Sequence, residues 1–517
     1  MRRTRMQRLK AIHITLLLPI LGLCFLWSLC IVPSLDAQES GQAFTPLSSI
    51  PGLTPPEEAM GRAIETLCPQ LSPRATGGTG DLQIRCTEVV GNALAGNAEA
   101  VRNPLLQMTT KEVSSQGTSA IETSNIQFTN VGARLAALRR GVTGISIQGL
   151  ALHDLERGLR SGAVASLWGG ENGATVRDVG GFNTLPRIDT TFAAPPLLAA
   201  APQRQTVAAA SAMSPNPFGR LGLFINGTFT FGDKDTTSRE AGFDFDTYGV
   251  TGGLDYRFTD NLVLGLAFGY SVTDADFDAA RGNLDVDAYS FSLFGTYYLD
   301  KLYFDGIFSY GWTDYNSHRN IVYAIQSTNR SGAIIPGTTT VNQSARSDTD
   351  GKQYSFSVSA GYDFTVRGFT FGPYGRLNYL KADIDAFQES IDNTNPGFGL
   401  SLAIEEQDVE SLTWVLGGQA SYALSTRFAV LVPQLRFEWE HEFLNDRRTI
   451  TARFVSDPTN TPIVLVTDEP DRDFFNVGAG LSAVFPRGVS TFVYYETVLA
   501  LRDVTAHKVA VGVRLAF

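Results

Sequence analysis

The segment Tyr354-Ser355-Phe356-Ser357-Val358-Ser359-Ala360-Gly361-Tyr362-Asp363-Phe364-Thr365 alternates without interruption. Its even-numbered residues are aromatic or aliphatic and its odd-numbered residues are small or polar. A period of two puts every apolar side chain on one face of a β-strand and every polar one on the other. The same period recurs upstream in Tyr248, Val250, Leu254, Tyr256 and Phe258, and in Leu262, Leu264, Leu266, Phe268 and Tyr270, whose partners include Gly265, Ala267 and Gly269. Twelve segments read as strands in this way: 218–231, 245–258, 262–277, 284–299, 302–320, 352–365, 369–386, 411–424, 428–444, 473–485, 489–500 and 506–517.

The connections between them divide into two kinds. Thr259-Asp260-Asn261, Asp300-Lys301, Val366-Arg367-Gly368, Ser425-Thr426-Arg427 and Pro486-Arg487-Gly488 are tight, and every intervening one but the last is longer, above all 321–351, 387–410 and 445–472. A soluble β-sandwich also alternates along its strands, but nothing in it requires short turns at one end and long loops at the other. A barrel that crosses an outer membrane has an even strand number, short turns on one side and long loops on the other. Lipid offers no hydrogen bonds, so a sheet that spans it must close on itself. The expected fold is therefore an all-β transmembrane barrel of twelve antiparallel strands over residues 218–517, apolar side outward.

On the opposite, inward face fall Asp305, Arg376, Gln434, Arg436, Glu438 and Glu440. They read as the lining of a hydrated lumen. Charges of both signs favour ion pairs that brace the wall over an ion-selective conduit.

Composition agrees. Of 517 residues 43% are hydrophobic, 11% aromatic and only 18% charged, with fifty glycines, which excludes bulk disorder. Mean hydropathy is −0.02, and one apolar run, Ala11 to Val32, is long enough to span a bilayer as a helix. That run follows Arg2, Arg3, Arg5, Arg8 and Lys10 and leads to Ser34-Leu35-Asp36-Ala37. The order reads as a signal peptide over residues 1–37 cut after Ala37, with a retained signal anchor as the alternative. Its removal takes away five basic residues and one acid, leaving 36 basic against 51 acidic side chains, a formal charge of −15. No nucleic-acid partner is expected of such a chain.

Residues 38–190 have helical spacing instead, as in Ala59, Met60, Ala63, Ile64 and Leu67 and again in Val131, Leu135 and Leu138. This region reads as a small, mainly α-helical exported segment. Residues 191–217 are rich in alanine and proline and read as a linker containing a short helix, Gln203 to Met213. Cys68 and Cys86, the only cysteines beyond the leader, are expected to form a disulfide in an oxidising compartment. His153 is the only histidine of this half, so neither a metal site nor any cofactor is expected. There is no Gly-x-Ser-x-Gly elbow, and Gly77-Gly78-Thr79-Gly80 reads as a flexible loop between the cysteines, without the Lys-Ser/Thr of a phosphate loop.

The chain ends Val509-Ala510-Val511-Gly512-Val513-Arg514-Leu515-Ala516-Phe517. With Gly512, Leu515 and Phe517 at their spacing, this resembles the terminal assembly signal of outer-membrane proteins, although the polar residue of that signal two before the glycine is Ala510 here. The order of signal peptide, exported segment, linker and barrel resembles a type V autotransporter over about the last 60% of the chain. That resemblance implies outer-membrane lipid, the barrel-assembly machinery and periplasmic chaperones as partners, and makes Gln203 to Met213 the candidate helix in the pore. It implies that the barrel anchors the chain and displays the N-terminal segment at the cell surface in a binding or adhesive role, with the ligand unspecified. A hydrolase passenger on the same barrel, or a plain pore with a periplasmic N-terminal domain, are the alternatives.

Overall fold

The computed structural model describes residues 46–139, 144–148, 220–485 and 489–515. Among these, twelve long strands close into a barrel. In chain order they are β2 (Leu221–Lys234), β3 (Phe243–Arg257), β4 (Leu262–Phe277), β5 (Gly282–Leu299), β6 (Leu302–Thr328), β7 (Ile334–Tyr362), β9 (Phe369–Ile384), β12 (Gln407–Tyr422), β14 (Val430–Glu442), β17 (Asp473–Val484), β18 (Val489–Leu499) and β19 (Val504–Leu515). Neighbours pair antiparallel, and β19 returns to β2. Short β8 (Phe364–Val366) and β13 (Leu424–Ser425) prolong two hairpins at the short-turn end, and β1 (Gly144–Gln148) lies at the seam between β2 and β19.

The alternation read from the sequence sorts side chains as lipid requires. Leu264, Leu266 and Phe268 on β4, Phe291 and Leu293 on β5, and Tyr354, Phe356 and Val358 on β7 are exposed outward. Ala267, Ser290, Ser292, Ser355 and Ser357 between them are buried inside.

The expected connection over 321–351 is corrected. Residues 321–351 are a hairpin, not a loop: β6 and β7 run for 27 and 29 residues, against 16 for β4. The part of β6 beyond Arg319, the partner of Gly282 at the start of β5, rises roughly 30 Å at about 3.3 Å per residue. Its pattern escapes a search for one apolar face because the apolar face changes sides. In the barrel the exposed apolar residues of β6 are even-numbered (Phe304, Phe308, Tyr310, Trp312), whereas above it the buried ones are odd-numbered (Tyr315, Ile321, Tyr323, Ile325). Where lipid stops, the outer face meets water and the inner face meets protein. The inversion between Trp312 and Tyr315 marks that level.

What covers the inner face is helical. α2 (Gly77–Leu94) and α3 (Ala98–Met108) pack on the risen hairpin, α1 (Pro55–Leu67) packs on α3 and on a strand of the long loops, and α4 (Ser114–Arg139) continues from them. Proline at the first position and Glu57, whose carboxylate accepts the Thr54 N–H at 2.5 Å, start α1. Gly77 to Gly80, expected as a loop, is the first turn of α2, held by the Thr79 hydroxyl donating to the Ser456 carbonyl at 2.9 Å. That tertiary partner lies 377 residues away, so no local signal announces it. Two long loops also form a small antiparallel sheet of β10 (Phe387–Gln388), β11 (Leu402–Ile404), β15 (Thr449–Phe454) and β16 (Ile463–Val466).

Helices and loops share one core. Met60, Ile64, Leu67, Leu82, Val89 and Leu105 bury against Ile321, Tyr323, Ile325 and Val341 of the hairpin and against Leu402, Phe454 and Ile463 of the loop sheet. The helical segment is thus a lid built jointly with the barrel's long loops.

Cys68 at the end of α1 and Cys86 in α2 are joined, with Cα atoms 5.7 Å apart. Closing 18 residues of chain restricts the unfolded segment by about 3 kcal/mol. Cys68→Ser with Cys86→Ser is expected to lower lid stability by that amount while leaving the barrel resistant to heat. Separate melting transitions of the two parts, followed by calorimetry in detergent, check this.

Candidate functional site

α4 runs through the barrel. It starts at the long-loop end, where Arg448 Nη2 donates to the Ser114 carbonyl at 3.2 Å, and finishes at the short-turn end, where Arg139 pairs with Asp305 near the start of β6. Its 26 residues span about 39 Å at 1.5 Å per residue, more than the apolar band of about 25 Å typical of such barrels.

The helix is held to one wall by a polar stripe. Gln116, Ser119, Thr123, Gln127, Asn130 and Arg134 recur at spacings of three and four, and all are buried. Gln127 Nε2 donates to Ser292 Oγ at 2.7 Å, and Thr251 Oγ1 donates to Gln127 Oε1 at 2.8 Å. Asn130 accepts from Thr228 Oγ1 at 2.7 Å through its side chain and from Asn226 Nδ2 at 2.6 Å through its backbone carbonyl. Arg134 Nε and Nη2 grip both oxygens of Asp255 at 2.6 and 3.1 Å, with the guanidinium fully buried. The approach is close because the wall is bare beneath the helix. A Cβ at Gly249 would collide with Ile126 and one at Gly269 with Gln127.

Across from the helix the lumen keeps a cavity of about 1340 Å³. Asp305, Arg376, Gln434, Arg436, Glu438 and Glu440 all line it. Arg376 Nη1 donates to Glu438 Oε1 at 3.0 Å, Tyr374 Oη donates to the same oxygen at 2.6 Å, and Arg436 pairs with Glu438 at 2.5 Å. Asn476 Nδ2 donates to Glu440 Oε1 at 2.6 Å, and Gln434 Nε2 to Ser482 Oγ at 2.8 Å. These charges are spent on one another across β9, β14 and their neighbours. Asp305 differs, since it belongs to the foot of α4 through Arg139, whose guanidinium also lies 4.0 Å from the Tyr303 ring centroid.

Among the described residues no group of three or more His, Cys, Asp or Glu is placed to hold a metal ion. Gly512 and Leu515 lie on β19. Phe517, His153, the Ala37 cleavage position and the Gln203 to Met213 helix lie outside the described residues. The described helix in the lumen is α4, whose residues lie within the exported segment expected from the sequence. Its signal in the sequence is a polar stripe at helical spacing, which an apolar stripe alone does not reveal.

The family of autotransporter β-domains matches residues 223–496. An uncharacterised protein of the trpE–trpG intergenic region of Pseudomonas putida is 26% identical over 217 residues, covering 41% of this chain and 33% of that protein. Outer membrane protein B of Rickettsia rickettsii is 24% identical over 330 residues, covering 62% of this chain and 19% of that protein. The chain thus spans a third or less of these curated relatives. The translocator domain of the autotransporter NalP from Neisseria meningitidis is 19% identical with a TM-score of 0.42, over 58% of this chain and 89% of that one. The family match takes in more than half of the chain and covers most of the closed barrel: this protein belongs to the autotransporter β-domain family and is a translocator barrel of the Gram-negative outer membrane.

Proposed function

We propose that this barrel anchors its own N-terminal helices at the outer surface of the cell and keeps them there as a fixed, presented lid. The observation that carries this reading is the course of α4, which passes from the lid at the long-loop end through the lumen to the short-turn end. Long loops face outward in barrels of this class, so the lid stands outside. A periplasmic N-terminal domain would require α1 to α3 at the other end.

For the lid itself we propose binding rather than catalysis. Residues 46–139 contain no histidine, and their cysteines are joined to each other. Their solvent face carries charged side chains such as Arg62, Glu99 and Arg102, which suit an adhesive or other macromolecular contact.

Display is tested by labelling intact cells with a membrane-impermeant maleimide. Glu99→Cys, at a side chain 90% exposed on the lid, is expected to react at once. Asp260→Cys, in an exposed short turn, is expected to react only after the outer membrane is permeabilised. The reverse order would place the lid in the periplasm.

A further inference from the structure

The seam between the first and last barrel strands is paired directly along only part of its length. β19 meets β2 from Val504 opposite Lys234 to Val509 opposite Phe229. Toward the short-turn end, β1 stands between them. It pairs antiparallel with β19, Ser146 to Arg514, Ile147 to Val513 and Gln148 to Gly512. It pairs parallel with β2, from Gly144 opposite Gly222 to Gln148 opposite Asn226.

The registers coincide. Extending the direct ladder downward would set Gly512 opposite Asn226 and Val513 opposite Ile225. These are the residues that β1 now separates, with Gln148 and Ile147 in the same rows. The seam can therefore open for β1 or close behind it with no slip in the register of either strand. An all-antiparallel ring needs an even number of strands, so a thirteenth must lie parallel to one neighbour. The parallel ladder is the weaker kind, which suits a strand that leaves.

β1 also begins close behind the foot of α4, Arg139, itself pinned to Asp305. We infer that the lower seam is a strand-docking site and that residues 144–148 are its internal occupant, a latch that holds the lumen helix and hence the lid. With β1 docked, α4 is fastened to the wall at its exit. With β1 withdrawn, β19 zips to β2 and α4 loses that fastening, while keeping its Arg134–Asp255 and Arg139–Asp305 pairs. The inference rests on the display reading above, because a latch matters only if the lid is to be retained.

Paired cysteines in the full-length protein test it. Ile147→Cys with Val513→Cys sits on adjacent strands and is expected to form a disulfide in the otherwise unaltered chain. Ile225→Cys with Val513→Cys is two strand spacings apart, about 9.5 Å, beyond the roughly 7 Å between Cα atoms that a disulfide tolerates. It is expected not to close. Ser146→Pro removes a ladder N–H from β1 and should reverse both results, making the 225–513 bridge the main product. Amide exchange in the last turns of α4 should rise in the same variant. A 225–513 bridge in the unaltered background, or no 147–513 bridge there, would overturn the docking site. Unchanged α4 exchange with a zipped seam would overturn the latch. Surface labelling of Glu99→Cys reads the display proposal separately: labelling with a failed bridge pattern sinks only the latch, and the expected bridges without labelling sink only display.

Discussion

Arg134→Ala is expected to loosen the lower half of α4 by about 3–5 kcal/mol, the usual consequence of removing one partner from a buried ion pair. Arg134 has no exposed surface, and Asp255 is 3% exposed. Without the guanidinium, the carboxylate is left under the helix with its charge unmatched in a site that excludes water. The helix can answer only by opening, which hydrates Asp255. The change should appear as faster amide exchange along the last turns of α4 and as larger current steps in planar bilayers, since the helix shares the lumen with the cavity beside it. Two comparisons make the result specific. Asp255→Ala alone should also loosen the helix, because the Arg134 guanidinium then loses the carboxylate that accepts two of its hydrogen bonds. Arg134→Met with Asp255→Leu should be close to neutral, because desolvation of the pair disappears with it. Unchanged exchange in Arg134→Ala would show that the hydrogen bonds of Gln127 and Asn130 hold the helix without it.

Arg319→Ala is expected to cost the lid a similar 3–5 kcal/mol while sparing the barrel. Arg319 sits on β6 just above the rim, with its side chain 3% and that of Glu389 5% exposed. Its Nε and Nη2 donate to the two Glu389 oxygens at 2.7 and 2.6 Å, and Nη1 donates to the Gln107 carbonyl in α3 at 3.1 Å. One side chain therefore ties together the risen hairpin, the loop carrying β10 and the helices. Removing it leaves Glu389, among the described residues, with the Leu402 N–H at 2.9 Å as its remaining donor. Arg319→Lys should recover only part of the loss, because an ammonium cannot form the two parallel bonds that the guanidinium makes. The check is the melting transition of the lid, read by near-ultraviolet circular dichroism in detergent micelles. A lid transition that stays in place would show that the shared apolar core alone fixes it.

The two pairs illustrate how far the sequence could be read. Asp305, Arg376 and Glu438 were legible as inward-facing because each sits at a fixed parity in a strand whose lipid face is unmistakable. Arg134 and Asp255 lie 121 residues apart, and nothing local to either names the other. α4 was visible as helical through Val131, Leu135 and Leu138, residues that bury against Phe224, Val263 and Phe294 of the wall. Its place inside the barrel depended on a polar stripe that in a soluble protein would face water. The hairpin above the rim was hidden because its apolar residues sit on the face opposite to the one that lipid selects below.

The sequence by itself determined the barrel, its number of strands and which end carries the long loops, because lipid imposes a period of two along every strand and forces the sheet to close. Tertiary structure alone decided what fills and covers it: α4 in the lumen, α1 to α3 joined to the loops in one core, and β1 in the seam. Those placements rest on contacts between segments distant in the chain, 96 residues apart for Asn130 and Asn226 and 121 for Arg134 and Asp255. A single chain shows such partners only once its folding has brought them together.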